Sequence, residues 1–68
     1  MRYDKNLLTA IIVCQIPGEK NKFIKYRNIK DATPQIAKLE THARTFEYAH
    51  HINLYYKGTK RFYKQILL

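Results

Sequence analysis

The sequence lacks the cross-links that stabilise many small domains. Its 68 residues include one cysteine, no tryptophan, two glycines and two prolines. A single cysteine, Cys14, excludes an intramolecular disulfide, and no cysteine pair is present to begin a zinc-ligand spacing. A chain of this length buries only about 60% of the surface that its unfolded form exposes. A compact core or self-association must therefore supply the stability, and a homodimer stays open.

Long hydrophobic runs are also missing. The longest apolar stretch, residues 7–16, is interrupted by Thr9 and Gln15. A membrane-spanning helix needs about 20 apolar residues. Pro17-Gly18 follows the stretch where a signal peptide would have a small-residue cleavage site. Together with an unpaired cysteine, these features predict a cytoplasmic protein that makes no contact with a membrane.

Acidic residues are scarce, with five Asp and Glu against thirteen Lys and Arg, for a formal net charge of +8. Two segments, residues 20–30 and 48–68, contain cations and no acid. The first holds Lys20, Lys22, Lys25, Arg27 and Lys30, and the second holds Lys57, Lys60, Arg61 and Lys64. Such asymmetry indicates a polyanionic or acidic partner.

Few carboxylates also argue against an enzyme. Glu40 and Glu47 are two helical turns apart, a spacing that favours ion pairs with Arg44 over acid–base chemistry. The sequence contains no phosphate loop, nucleophile elbow or dinucleotide fingerprint. Cys14 is expected to be a small buried side chain, because it sits in an apolar run. The prediction is a non-enzymatic protein without a cofactor.

The three histidines do not predict a metal site. His42 lies eight residues before His50, and His50 and His51 are adjacent. No cysteine or carboxylate completes a zinc-type spacing with them. They are interpreted as histidines at a helix end and on the surface. No residue is predicted to bind a metal.

The first half of the chain predicts a β-hairpin. Apolar and β-branched residues favour strands over 7–16 and 22–29, and residues 17–21 form the turn. The second strand alternates: one face carries Ile24 and Tyr26, and the opposite face carries Phe23, Lys25 and Arg27.

A helix is predicted next. Thr33 suits the N-cap and Pro34 suits the first helical position. The apolar stripe of this amphipathic helix consists of Ile36, Leu39, Ala43 and Phe46. The helix is expected to end near Ala49 or His50, where imidazoles suit the negative end of the helix dipole.

Residues 52–57 and 61–68 predict a second hairpin around Gly58-Thr59. Phe62 and Ile66 are expected to face the core if Arg61 and Tyr63 face outward. The whole chain, residues 1–68, then forms a single small basic α+β domain in the order β-β-α-β-β. One amphipathic helix packs on a four-stranded antiparallel sheet and leaves the other sheet face uncovered.

That uncovered face is the predicted binding site. Aromatic rings offer stacking surfaces for unpaired bases, and Lys and Arg neutralise phosphates. Phe23, Tyr55 and Tyr63 are expected to stack, and the cations expected to contact the backbone are Lys25, Arg27, Lys57, Lys60, Arg61 and Lys64. The hypothesis is a protein that binds single-stranded nucleic acid or RNA in preference to duplex DNA.

Two other interpretations of the same residues stay open. Tyr and Arg are favoured anchors of protein interfaces, so the chain could be a protein-binding modulator that docks on an acidic partner surface. An inhibitor or adaptor of this kind, from an AT-rich bacterial or phage genome, suits the composition. The structural interpretation is plainer, since Tyr and Phe are common in strands and edge lysines oppose aggregation.

Overall fold

The computed structural model describes residues 7–57 and 61–68. Its elements in chain order are β1 (Leu7–Cys14), β2 (Lys22–Lys30), α1 (Thr33–Ala43), β3 (Ala49–Tyr56) and β4 (Phe62–Leu67). The strands form one sheet in the order β2-β1-β3-β4, and each neighbouring pair is antiparallel. The α+β class and the β-β-α-β-β order predicted from the sequence are confirmed.

The strand order follows from how apolar each strand is. β1 has no charged residue and takes a central position between β2 and β3, where its backbone is paired on both sides. β2 carries four cations and lies at an edge, where such side chains reach water and discourage pairing with another sheet. The other edge strand is β4.

The core lies between α1 and one face of the central strands. Leu8, Ala10 and Ile12 of β1 are fully buried, as are Ile52 and Leu54 of β3. The helix covers them with the buried stripe Ile36, Leu39 and Ala43. One helix covers one face, so the opposite face of the sheet is left uncovered by α1.

The boundaries of α1 differ from the prediction at both ends. Ala32, with extended backbone, is the N-cap, and Thr33 is already helical without a side-chain capping bond. The helix ends at Ala43, because tight turns formed by Thr45 and Phe46 follow and Tyr48 reverses the chain at φ 67°. Among the described residues, no helix is long and apolar enough to cross a membrane.

Because α1 ends earlier than predicted, two histidines lie in a strand. β3 begins at Ala49, so His50 and His51 belong to the sheet and are not at the helix end. Only His42 lies in the last turn of α1. The helix-end interpretation of His50 is therefore wrong, because the chain needs only residues 44–48 to return to the sheet.

A β-bulge in β4 overturns the predicted orientation of its first residues. The register with β3 shifts between Leu54 and Tyr55, which inserts Tyr63 as an extra residue. Phe62 consequently pairs with Tyr55 and is exposed, whereas Tyr63 packs against the core beside Tyr56. Such an insertion bends the strand and reverses which face each residue occupies. The sequence-based prediction that Phe62 faces the core and Tyr63 faces outward is therefore wrong.

Candidate nucleic-acid interface

Residues that point away from α1 form ranks across the sheet, because paired residues of neighbouring strands lie side by side. We call this surface the open face. Its first rank is Phe23, Val13, His51 and Leu67; its second is Lys25, Ile11, Asn53 and Gln65; its third is Thr9, Tyr55 and Phe62; its fourth begins with Lys30 and Leu7.

Aromatic rings stand at two places on the open face. In the third rank, Tyr55 and Phe62 meet edge to face, with ring centroids 5.7 Å apart, and Phe62 is 52% exposed. In the first rank, Phe23 is 64% exposed at the β2 edge. Strand and residue spacings put Phe23 and Tyr55 about 16 Å apart. The face therefore has two separate aromatic platforms.

In the described part of the chain, the strands that form the open face carry cations and no acidic side chain. Strands β1 to β4 contain no Asp or Glu. Exposed cations follow the β2 edge: Lys25 and Lys30 in the ranks, and Arg27 at a bulge where Asn28 adopts φ 61°. Lys57 follows β3 and its N–H donates to the Leu7 carbonyl at 3.1 Å, which places it level with the fourth rank.

The acidic residues of the described chain lie elsewhere. Glu19 is in the β1–β2 turn, Asp31 is between β2 and α1, Glu40 is on α1 and Glu47 follows the helix. Glu40 lies 3.7 Å from Arg44. Asp31, Glu40 and Glu47 belong to α1 or adjoin it, and none of the described acids lies in a strand of the open face, which favours an anionic ligand there.

The side-chain amides of two residues in the second rank form a hydrogen bond. The Nε2 of Gln65 donates to the Oδ1 of Asn53 at 3.1 Å. Asn53 is half-buried and Gln65 is exposed. They lie between the two aromatic platforms, on the strands that also carry Tyr55 and Phe62. This polar pair was not predicted from the sequence, because its meeting depends on the β3–β4 register.

Two predicted site residues of β4 lie away from the open face. Tyr63 turns toward the helix side, where its hydroxyl donates to the carboxylate of Asp31 and this bond raises the pKa of Tyr63. Lys64 lines a shallow groove with Asp31 and Glu40, and its Nζ lies 5.6 Å from the centre of the Tyr63 ring. The bulge in β4 is the physical reason for both corrections.

Arg61 also leaves the predicted site. Its guanidinium carbon lies 5.8 Å from the centre of the Tyr56 ring, and Tyr56 packs against the core on the helix side. Lys60 lies outside the described residues. Among the predicted residues, Phe23, Lys25 and Tyr55 lie on the open face, and Arg27 and Lys57 lie along its border.

The histidines occupy two unrelated places. His42 Nε2 lies 2.8 Å from the Tyr26 hydroxyl and joins α1 to β2. The Nδ1 atoms of His50 and His51 are 2.9 Å apart in β3. Within residues 7–57 and 61–68, no three His, Cys, Asp or Glu side chains are grouped so that they could hold a metal ion.

The fold and this surface define a small α+β protein with a basic, partly aromatic sheet face. No protein-family model, curated protein or solved structure matches the chain. The rings and cations of the open face are therefore the features that bear on function.

Proposed function

We propose that this protein binds single-stranded nucleic acid on the open face and catalyses no reaction. The observation that carries the proposal is that Tyr55 and Phe62 share the open face with the cations of β2, on strands that contain no Asp or Glu. Unpaired bases have free π-faces, which stack on aromatic side chains, while phosphates pair with Lys and Arg. A duplex conceals those π-faces, so a single strand or an RNA loop is the better fit.

In this proposal, the two parts of the ligand contact different strands. Lys25, Arg27 and Lys30 follow the β2 edge and would hold the phosphates. Tyr55 and Phe62 lie toward the opposite edge and would stack bases. The strand would cross the sheet with its backbone at β2 and its bases over β1, β3 and β4.

A titration at several salt concentrations tests this proposal. Binding of labelled single-stranded RNA and DNA is measured by fluorescence anisotropy, with wild type and Lys25→Ala/Arg27→Ala. For a single strand, log K changes with log[salt] by about −0.7 per phosphate neutralised. Losing two contacts should therefore flatten the slope by about 1.4. Weaker affinity with this flatter slope is expected.

The matched control removes the same charges from the other side of the sheet. Lys38→Ala/Arg44→Ala also deletes one Lys and one Arg, both exposed on or beside α1. This control should keep the wild-type slope. If both double variants lose binding equally, only net charge matters and the open face is not the site. Absence of binding at low salt would reject nucleic acid as the ligand.

A second candidate function rests on the first rank. Phe23 is 64% and Leu67 is 69% exposed, at opposite edges of a row that also contains Val13 and His51. Exposed apolar side chains bordered by cations suit a protein-binding modulator on an acidic partner surface. Leu67→Ser would then release a protein that co-purifies at fixed stoichiometry. Under the first proposal, this variant keeps nucleic-acid affinity close to that of wild type.

Either function is proposed to operate in the cytoplasm. Cys14 is a free thiol and is 2% exposed in the core. Unpaired cysteines are typical of reducing compartments. Cell fractionation with a tagged chain tests the location, and recovery in an oxidising compartment would contradict it.

A further inference from the structure

The two histidines of β3 meet through their Nδ1 atoms, which lie 2.9 Å apart. Consecutive residues of a regular strand point to opposite faces, so this contact needs a local irregularity. The pairing of β1 with β3 shifts here, because Val13 is opposite His51 and Cys14 is opposite Ala49. His50 is therefore the extra residue of a β-bulge, an irregularity that changes the direction of a side chain. The bulge brings the two ring nitrogens together.

The contact requires the two rings to be in different tautomers. A neutral imidazole has one protonated nitrogen and one nitrogen with a free lone pair. One Nδ1 therefore donates its hydrogen to the lone pair of the other. If water moves that proton to Nε2 of the same ring, both Nδ1 atoms keep a lone pair and both rings stay neutral. A neutral imidazole is the commonest metal ligand in proteins.

The separation of the Nδ1 atoms is that of neighbouring ligands on one metal ion. An imidazole nitrogen lies about 2.0–2.1 Å from Zn²⁺ or an ion of similar size. Two such nitrogens at a right angle are about 2.8–3.0 Å apart, and two at the tetrahedral angle are about 3.3–3.4 Å apart. The observed 2.9 Å fits the right angle. To bind, each ring rotates so that its lone pair points at the ion instead of at the other ring.

The right angle and the ligand type favour divalent copper. Tetragonal sites with nitrogen ligands are typical of Cu²⁺, which also binds a given site more tightly than the other divalent first-row ions. Among the residues that the structure describes, no group of three His, Cys, Asp or Glu side chains could hold a metal, so water must complete the coordination. His50 is exposed and His51 is half-buried, which gives water access to the ion.

We propose that His50 and His51 bind one Cu²⁺ ion through their Nδ1 atoms, with water in the remaining positions. His51 belongs to the first rank, so the site lies two ranks away from Tyr55 and Phe62. The proposal does not depend on nucleic-acid binding. The sequence does not predict this site, because the histidines were expected at a helix end, where adjacent side chains do not face each other.

A copper titration of the full chain tests the proposal. Cu²⁺ is added in a buffer that contains glycine as a competing ligand, and the visible absorption of the bound ion reports binding. One ion per chain is expected. Continuous-wave EPR should give the axial spectrum of a tetragonal ion. Pulsed EPR detects the remote nitrogen of each coordinated imidazole and should report two imidazoles.

His50→Gln and His51→Gln assign the ion to the pair. Loss of a residue that only supports a metal ligand costs about 10- to 100-fold in affinity, so loss of a ligand should cost at least about 10-fold. Pulsed EPR of either variant should report fewer than two imidazoles. Circular dichroism checks that the variants are folded. Because His50 is exposed, His50→Gln is expected to fold even if His51→Gln does not.

His42→Gln is the matched control, since it also removes one histidine, from α1. It should retain the wild-type affinity for Cu²⁺. An equal loss in His42→Gln and His50→Gln would mean that copper binds scattered surface histidines, and would reject the site.

Other results reject the proposal for different reasons. A wild-type complex with one imidazole would show that the two rings do not act together. Unchanged affinity in folded His50→Gln would place the ion elsewhere. An EPR spectrum typical of a tetrahedral ion would contradict the right angle on which the choice of copper rests.

Discussion

Phe62 and Tyr63 are adjacent in sequence, and the bulge in β4 places them on opposite sides of the sheet. Phe62→Ala should weaken single-strand binding by about 1–3 kcal/mol, the usual cost of losing one stacked base. The same change should cost little stability, because Phe62 is 52% exposed. Anisotropy and urea unfolding of the variant check both statements.

Tyr63→Ala is the matched control for that substitution. The half-buried Tyr63 ring packs on the core, so its removal should lower the free energy of unfolding by about 2 kcal/mol. Binding by the molecules that remain folded should be unchanged. If Tyr63→Ala weakens binding and Phe62→Ala does not, the stacking ring is on the wrong side of the sheet for the proposed function.

The bond between Tyr63 and Asp31 predicts a pH dependence. Hydrogen bonding to the Asp31 carboxylate raises the pKa of Tyr63 above its ordinary value of 10.0. Because the folded pKa exceeds the unfolded one, the stabilisation is complete below pH 10 and is lost as pH rises through the folded pKa. Tyr63→Phe should therefore be less stable than wild type at pH 8, with a smaller difference at pH 11. Urea unfolding at both pH values measures this, and a constant difference would contradict it.

At the scale of elements, hydrophobic pattern was enough to locate the strands and α1, but not the side chains that follow a bulge. Strand β1 and the alternation of β2 follow from apolar runs, so Phe23 and Lys25 were placed on the correct face. The extra residue in β4 comes from its pairing with β3, a long-range contact that local sequence does not encode. Tyr63 and Lys64 were misplaced for that reason.

The end of α1 illustrates the same limit. The apolar stripe continues through Phe46, which does pack against the core, although the helix has already ended at Ala43. Periodicity reports that a residue faces the core and not that its backbone is helical. Tyr48 redirects the chain in a left-handed conformation. The sequence does not predict this, because glycine or asparagine is the usual residue at such a position and tyrosine is not.

α1 supplies one side of the core, so the fold depends on its buried stripe. Leu39→Ala should lower the free energy of unfolding by about 2–4 kcal/mol. Leu39 is 6% exposed, so its truncation removes buried apolar surface and leaves a cavity in the core. Lys38→Ala, on the exposed side of the same helix, should change stability by less than about 0.5 kcal/mol. Urea unfolding compares them. A loss below about 1 kcal/mol for Leu39→Ala would show that α1 is not an essential part of the core.

At the scale of the whole molecule, net charge separates ligand binding from self-association. Each chain carries +8, and a dimer formed through two open faces would bring the β2 cations of both copies together. Salt screens that repulsion and also weakens attraction to phosphates. The two processes should therefore respond to salt in opposite directions.

Sedimentation velocity and anisotropy at 50 mM and 500 mM salt test this relation. We expect the chain to be monomeric at low salt, with any dimer favoured at high salt, while single-strand binding is strongest at low salt. Removing Lys25 and Arg27 should shift both responses together, since the same side chains oppose the dimer and attract the nucleic acid. A stable dimer at low salt that dissociates when nucleic acid is added would show instead that the open face is first occupied by a second copy.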